Sequence, residues 1–235
     1  TDAVSPFLDH ANSEVRRAAL FAASQTIGQE DLSLLVDRLL GTAPGVDGAA
    51  VREALRVASV RMPDRESTAA DLAKAMEKTD SIEAKVALLN VLGAMGGPTA
   101  LRTIRDAAIE GDAVLQDAAT RLLGRWMSVD AAPVLLEVSK SLQNGKYGVR
   151  ALRGYIRLIR QFQFSDEKRA AMCRSALEIA TRPDELKLVL EVLERYPSPH
   201  SLAVAKEAQQ IGSISSEAKQ TANAISKWLD EKAGN

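Results

Sequence analysis

Apolar and polar positions follow one another along this chain at spacings of three and four, and one short pattern keeps returning. An apolar residue is followed, in six of seven copies, by a basic one (Gln116 departs), and then by small or apolar residues three, four and seven places on. It runs Val15-Arg16 with Ala18, Ala19 and Ala22, then Val51-Arg52 with Ala54, Leu55 and Ala58. Ala84-Lys85 with Ala87, Leu88 and Val91 follows, and Leu115-Gln116 with Ala118, Ala119 and Leu122. The remaining copies are Val149-Arg150 with Leu152 and Ile156, Leu186-Lys187 with Val189, Leu190 and Leu193, and Ala218-Lys219 with Ala222 and Ile225. The anchors Val15, Val51, Ala84, Leu115, Val149, Leu186 and Ala218 are separated by 36, 33, 31, 34, 37 and 32 residues. Spacing of i, i+3, i+4, i+7 is the helical period, and a repeat in the low thirties is the length of one two-helix unit.

Between the anchored helices the same spacing predicts second helices over 31–40, 68–77, 99–110, 132–142, 166–180 and 201–211. Short polar residues stand where helices begin: Asn12 or Ser13, Asp47, Asp80 or Ser81, Asp112 and Ser213. Such side chains accept bonds from the free N–H groups of a first turn. Pro98, Pro133, Pro183 and Pro199 fall near helix starts, where a missing N–H costs nothing. Turns are expected at Gly41 to Gly48, Gly96-Gly97, Gly111, Gly145 and Gly212, and a polar terminal helix over 216–232. No segment reads as a strand. Seven units at two helices each predict about fourteen helices in one all-α domain covering 1–235. The first residues, Thr1 to His10, read as the tail of a hairpin already under way, so the chain is expected to be a segment of a larger protein.

Composition agrees with close helix packing. Hydrophobic residues are 46% of the 235 and aromatics only 4%, so Ala, Leu, Val and Ile must fill the interior. The formal net charge of -1 gives no overall field for nucleic acid. The single cysteine, Cys173, sits in a helical pattern and reads as a small core residue. No apolar run approaches the ~18–20 residues that span a bilayer, so no membrane insertion is expected.

Glu14-Val15-Arg16-Arg17-Ala18-Ala19-Leu20 closely resembles the HEAT-like repeat motif, and Asp47 to Leu55 and Asp112 to Leu122 carry a looser form. The resemblance covers essentially the whole chain. It implies a right-handed, armadillo-like α-solenoid of about seven two-helix repeats, with the anchored helices lining a concave face. The segments Ala151 to Ile159 and Pro197 to Leu202 also resemble HEAT segments appended to large, often extracytoplasmic, bacterial multidomain proteins.

Catalytic signals are missing from the sequence. His10 and His200 lie in units at opposite ends of the chain, so four convergent metal ligands are not to be found. There is no phosphate-binding Gly loop, no nucleophile elbow, and no Ser or Cys with a histidine placed to activate it. Neither a cofactor site nor a metal site is expected.

One helix departs from the pattern. Lys146, Arg150, Arg153, Arg157 and Arg160 are spaced 4, 3, 4 and 3, which at 100° per residue places them on one stripe. Elsewhere the positions of Arg153 and Arg157 carry small or apolar residues. The stripe reads either as a candidate binding site for an anionic partner, since Arg forks match carboxylates and phosphates, or as a solvated face paired with acids such as Asp117, Glu191 and Glu194. Trp126, Trp228, Tyr147, Tyr155 and Tyr196 read as packing residues or partner anchors.

The expected function is therefore a non-catalytic scaffold that presents its concave face to a protein or peptide. Two alternatives rest on the resemblance. One is a nucleic-acid-binding relative of HEAT-like DNA glycosylases, drawing on the arginine stripe, Trp126 and Arg16, Arg17, Arg52, Arg56, Arg121 and Arg125. The other is a HEAT-like chromophore lyase.

Overall fold

The computed structural model describes residues 3–41, 47–143 and 145–234. Among them are thirteen α-helices and no strand. They are α1 (Ser13–Thr26), α2 (Ser33–Gly41), α3 (Gly48–Arg61), α4 (Arg65–Glu77), α5 (Ile82–Met95), α6 (Pro98–Glu110), α7 (Ala113–Gly124), α8 (Ala131–Ser141), α9 (Lys146–Gln161), α10 (Asp166–Ile179), α11 (Pro183–Arg195), α12 (Pro199–Ala208) and α13 (Ser215–Ala233). The seven anchors fall one each in the odd-numbered helices. The expected fourteen compare with thirteen among the described residues: seven anchored helices enclose six intervals, and the described residues before α1 form only a 3-10 turn, Ser5–Phe7. Five anchors are buried, Val51, Ala84, Leu115, Leu186 and Ala218, while Val15 and Val149 are half-buried.

Capping explains most of the boundaries. Asn12 accepts from the N–H of Glu14, Ser81 from Ala84, and Asp112 from both Val114 and Leu115. Asp64 accepts from Ser67 and so starts α4 a turn before the expected 68. Pro98, Pro183 and Pro199 each open a helix at its first residue. Ser213 does not cap. A short 3-10 turn, Gly212–Ile214, carries the chain into α13, whose N-cap is Ile214. The turn between α5 and α6 needs its two glycines, because Gly96 and Gly97 have φ of 71° and 91°, where a Cβ is strained. Gly97 also leaves room for Glu66 of α4, whose Oε2 accepts from the N–H of Thr99 at 3.1 Å and caps α6 from outside. The turn expected at Gly41 to Gly48 falls largely on residues 42–46, outside the described residues, as do Thr1 and Asp2 of the first segment.

The helices group into two compact units, residues 1–122 and 123–235. In the first, α1 packs on α3 and α3 on α5, while α4 and α6 pack on α5 and on each other. Helix α5 is covered from several sides and accordingly buries Ala84, Ala87, Leu88, Leu89, Val91, Leu92 and Met95. A helix apolar around most of its circumference needs that many neighbours. Helix α1 has fewer and leaves Phe21 70% exposed. In the second unit α9 packs on α8, α10 and α11, α11 on α13, and α10 on α12.

Two glycines let backbones meet. A Cβ on Gly148 would collide with the carbonyl oxygen of Leu142, and one on Gly154 would lie 3.0 Å from both the Cα of Gly124 and Cδ2 of Leu135. Overpacking of this kind costs about 1–3 kcal/mol. Gly148→Ala and Gly154→Ala should therefore each lower the denaturation midpoint by a corresponding amount. Gly41→Ala meets no neighbouring atom within 4 Å and should be neutral or stabilising by roughly 0.5–1 kcal/mol from helix propensity. Urea titration of the three variants checks this packing.

Candidate functional site

Helix α9 carries the basic stripe because its other faces are committed to the core. Ala151, Leu152, Tyr155, Ile156, Leu158 and Ile159 are buried, so Lys146, Arg150, Arg153, Arg157 and Arg160 fall on the exposed and half-exposed positions between them. The stripe is real, but its members do different things. Lys146 and Arg150 flank the Tyr147 ring, at 4.7 and 5.8 Å from its centroid. Arg153 donates from Nε and Nη2 to Oε1 of Glu185, at 2.8 and 2.7 Å. That carboxylate, on α11, is only 1% exposed, while the Arg153 side chain is 51% exposed. Arg182 stands farther off, 3.8 Å from the other oxygen of Glu185.

Arg157 is a clamp on backbone. Its Nε donates to the carbonyl of Gly124, the last residue of α7, at 3.1 Å and its Nη2 to that of Trp126, two residues beyond, at 2.5 Å. Its Nη1 donates to Gln161 at 2.7 Å. Burial, and then the neighbouring charge of Arg160, push its pKa below the ordinary guanidinium value. Arg160 itself is exposed and forms no ion pair among the described residues, and its carbonyl accepts from the Tyr196 hydroxyl at 2.6 Å.

The acid seen on this stripe is Glu185, which the sequence reading did not offer. Asp117 accepts from Arg121 at 2.7 Å. Glu191 and Glu194 form no ion pair among the described residues. Glu185 was hidden from sequence reasoning because it occupies the first turn of α11, where an acid reads as a dipole partner. Arg169 was hidden too. It is 5% exposed, lies over the Tyr196 ring at 3.7 Å, and donates to the carbonyls of Ile159 and Phe162 at the end of α9.

The arginines of the nucleic-acid alternative are largely engaged. Arg16 pairs with Asp47, Arg17 approaches it at 3.6 Å, Arg52 meets Glu83 at 3.2 Å, and Arg56 meets Glu53 at 2.6 Å. With Arg121 on Asp117, only Arg125 of that set has no ion pair among the described residues. Cys173 is fully buried, and burial pushes its thiol up to about 12, against the opposing pull of Arg169. That excludes a ready thiolate nucleophile. Trp126 is a packing residue, 7% exposed with its Nε1 donating to Ser128 and Asp130 at 3.2 Å, whereas Trp228 is 40% exposed beside Lys232. His10 accepts from the Asn12 N–H at 3.1 Å, next to the cap of α1, and His200 is exposed. In unit 1 a groove of about 520 Å³ separates α2 from α4, with Leu32, Val36, Leu40 and Leu72 among its lining.

Compared with protein-family models, curated proteins and solved structures, the chain finds no match.

The Arg153–Glu185 pair can be tested directly. Removing Arg153 leaves a buried carboxylate with only a distant cation, a loss of about 1–3 kcal/mol. Arg153→Ala should cost that much in urea denaturation. Arg153→Met combined with Glu185→Leu should recover most of it. A double variant as unstable as the single one would mean that the helices depend on packing by the Arg153 stem rather than on the charge pair.

Proposed function

We propose that the chain is a non-catalytic protein-interaction module, a HEAT-like α-solenoid of about seven two-helix repeats that binds a protein or peptide. The observation that carries this reading is the sequence separation of the tertiary contacts. Arg16 with Asp47 and Arg52 with Glu83 are 31 residues apart, Arg153 with Glu185 is 32, and Arg174 with Glu207 is 33. Backbone clamps obey the same interval, with Arg61 reaching the carbonyl of Ile27 across 34 residues and Arg157 that of Gly124 across 33. Within each compact unit neighbouring hairpins thus meet at a similar interval, which supports the quasi-one-dimensional logic of repeat proteins. Repeats of this kind present long rows of side chains rather than a closed catalytic pocket, and the titratable groups here serve caps and ion pairs.

Two measurements test it. An ordinary globular domain of this length has a radius of gyration of about 18 Å; small-angle scattering should give a clearly larger value for the isolated chain. A compact value refutes the solenoid. The chain should also retain a partner in a cross-linking capture and show no turnover across hydrolase, nuclease and glycosylase substrates. Robust turnover with no captured partner refutes the non-catalytic module.

A further inference from the structure

We propose that copies of this chain associate head to tail, with α13 of one copy seated on the open face of α1 of the next and Lys219 of the first paired with Glu14 of the second. The inference rests on the reading of the chain as a stack of repeats, and it adds a second copy to the partners of that stack.

Four anchored helices carry a Glu immediately before the anchor: Glu14, Glu83, Glu185 and Glu217. Three of these acids meet a base of the anchored helix one repeat earlier. Glu83 of α5 meets Arg52 of α3 at 3.2 Å, Glu185 of α11 meets Arg153 of α9 at 2.7 Å, and Glu217 of α13 meets Lys187 of α11 at 2.8 Å. Glu14 of α1 is exposed and forms no ion pair among the described residues.

The apolar face beside Glu14 is open too. At 100° per residue, the positions three, six, seven and ten after an anchor share an arc of about 100° with the position before it. The tenth also reaches backward, since Arg61 of α3 donates to the Ile27 carbonyl at the end of α1. This arc therefore faces the preceding repeat. The anchor and the third and seventh positions after it are buried in α3, as Val51, Ala54 and Ala58, and in α5, as Ala84, Ala87 and Val91. The same three positions are buried in α11 and α13. In α1, Val15 and Ala22 are half-buried, while Ala18 and Phe21 are exposed. An acid and an apolar stripe that those later helices cover are left in solvent on α1.

The chain itself supplies a matching helix. Lys219 of α13 stands one place after its anchor, where Arg52 and Lys187 stand when they meet the acid of the next helix. Lys219 is exposed and forms no ion pair among the described residues. On the same side of α13, five and eight places after the anchor, are Asn223 and Ser226. The corresponding side of α3 carries Arg56 and Ser59, and α3 packs on α5 with Ser59 fully buried. A polar side of this composition thus suffices to cover an Ala-rich stripe. Base faces acid in the register that the chain already uses between its own repeats. The contact joins two different surfaces, so its two halves can be altered separately.

The test is sedimentation velocity of the full chain over a range of concentrations, where dimers and larger species should grow in proportion as concentration rises. Glu14→Lys and Lys219→Glu should each weaken association about tenfold or more, because like charges then face each other in the contact. Mixing the two single variants should restore it, since each then offers the other the opposite charge at both contacts. An unfolded variant rescues nothing, so the mixture separates the contact from stability. A parent that stays monomeric, or single variants that regain no association when mixed, overturns the proposal. If the parent is monomeric with a radius of gyration above the roughly 18 Å of a globular domain this long, the head-to-tail contact falls and the repeat reading stands. A compact monomer removes the repeat reading as well.

Discussion

A helical hairpin has more apolar surface than its own two helices can cover, and that constraint governs the rest of this molecule. The interior is built from Ala, Leu and Val with few rings, so helices approach closely and each needs a neighbour one repeat away. The need shows in the contrast between α5 and α1. Helix α5, covered by α3, α4 and α6, buries seven residues. Helix α1 buries Ala19, Leu20, Ala23 and Ser24 and leaves Phe21 in solvent. Burying a side chain the size of Leu or Phe contributes about 1.5–3 kcal/mol. The apolar faces therefore set the energetics, and the polar contacts set the register.

The long-range polar contacts among the described residues each span 29 to 36 residues. At one end of the anchored helices, a basic residue just after the anchor meets an acid at the start of the next: Arg16 with Asp47, Arg52 with Glu83, Lys187 with Glu217. At the other end, side chains donate to the carbonyls that a helix leaves without partners: Arg61 to Ile27, Arg157 to Gly124 and Trp126, Tyr196 to Arg160. An exposed pair is worth only about 0–1 kcal/mol. A slip of one helix along its neighbour breaks contacts at both ends together, so their value lies in fixing which residues meet. Asp47 illustrates the cost of that arrangement. It takes up a left-handed conformation, φ 51°, and its carboxylate caps nothing in α3 but receives Arg16 and Arg17.

Most of this order was legible in the sequence, because it is periodic. The helix type and the seven anchored helices follow from spacing, and the caps at Asn12, Ser81 and Asp112 from short polar residues ahead of apolar runs, whereas the caps at Asp64, Ser165 and Ser198 were not singled out. What escaped was whatever depends on a residue's partner. Ser213 looks like an N-cap, yet a 3-10 turn intervenes and Ile214 takes the position. Glu185 looks like an exposed first-turn acid and is buried. Glu66 looks like a first-turn acid of its own helix, α4, and caps α6, across 33 residues. Periodicity reports the face a residue occupies within its helix. It does not report what the adjacent repeat places against that face.

The basic stripe makes the same point about function. Arg153 and Arg157 stand out in sequence because they replace small or apolar residues at their place in the repeat. That departure is explained by local structure: one answers a buried carboxylate, the other ties down the end of α7. Both are busy, and a busy cation is a poor anchor for a ligand, since a ligand must first displace its partner. A departure within one repeat fits a local structural demand.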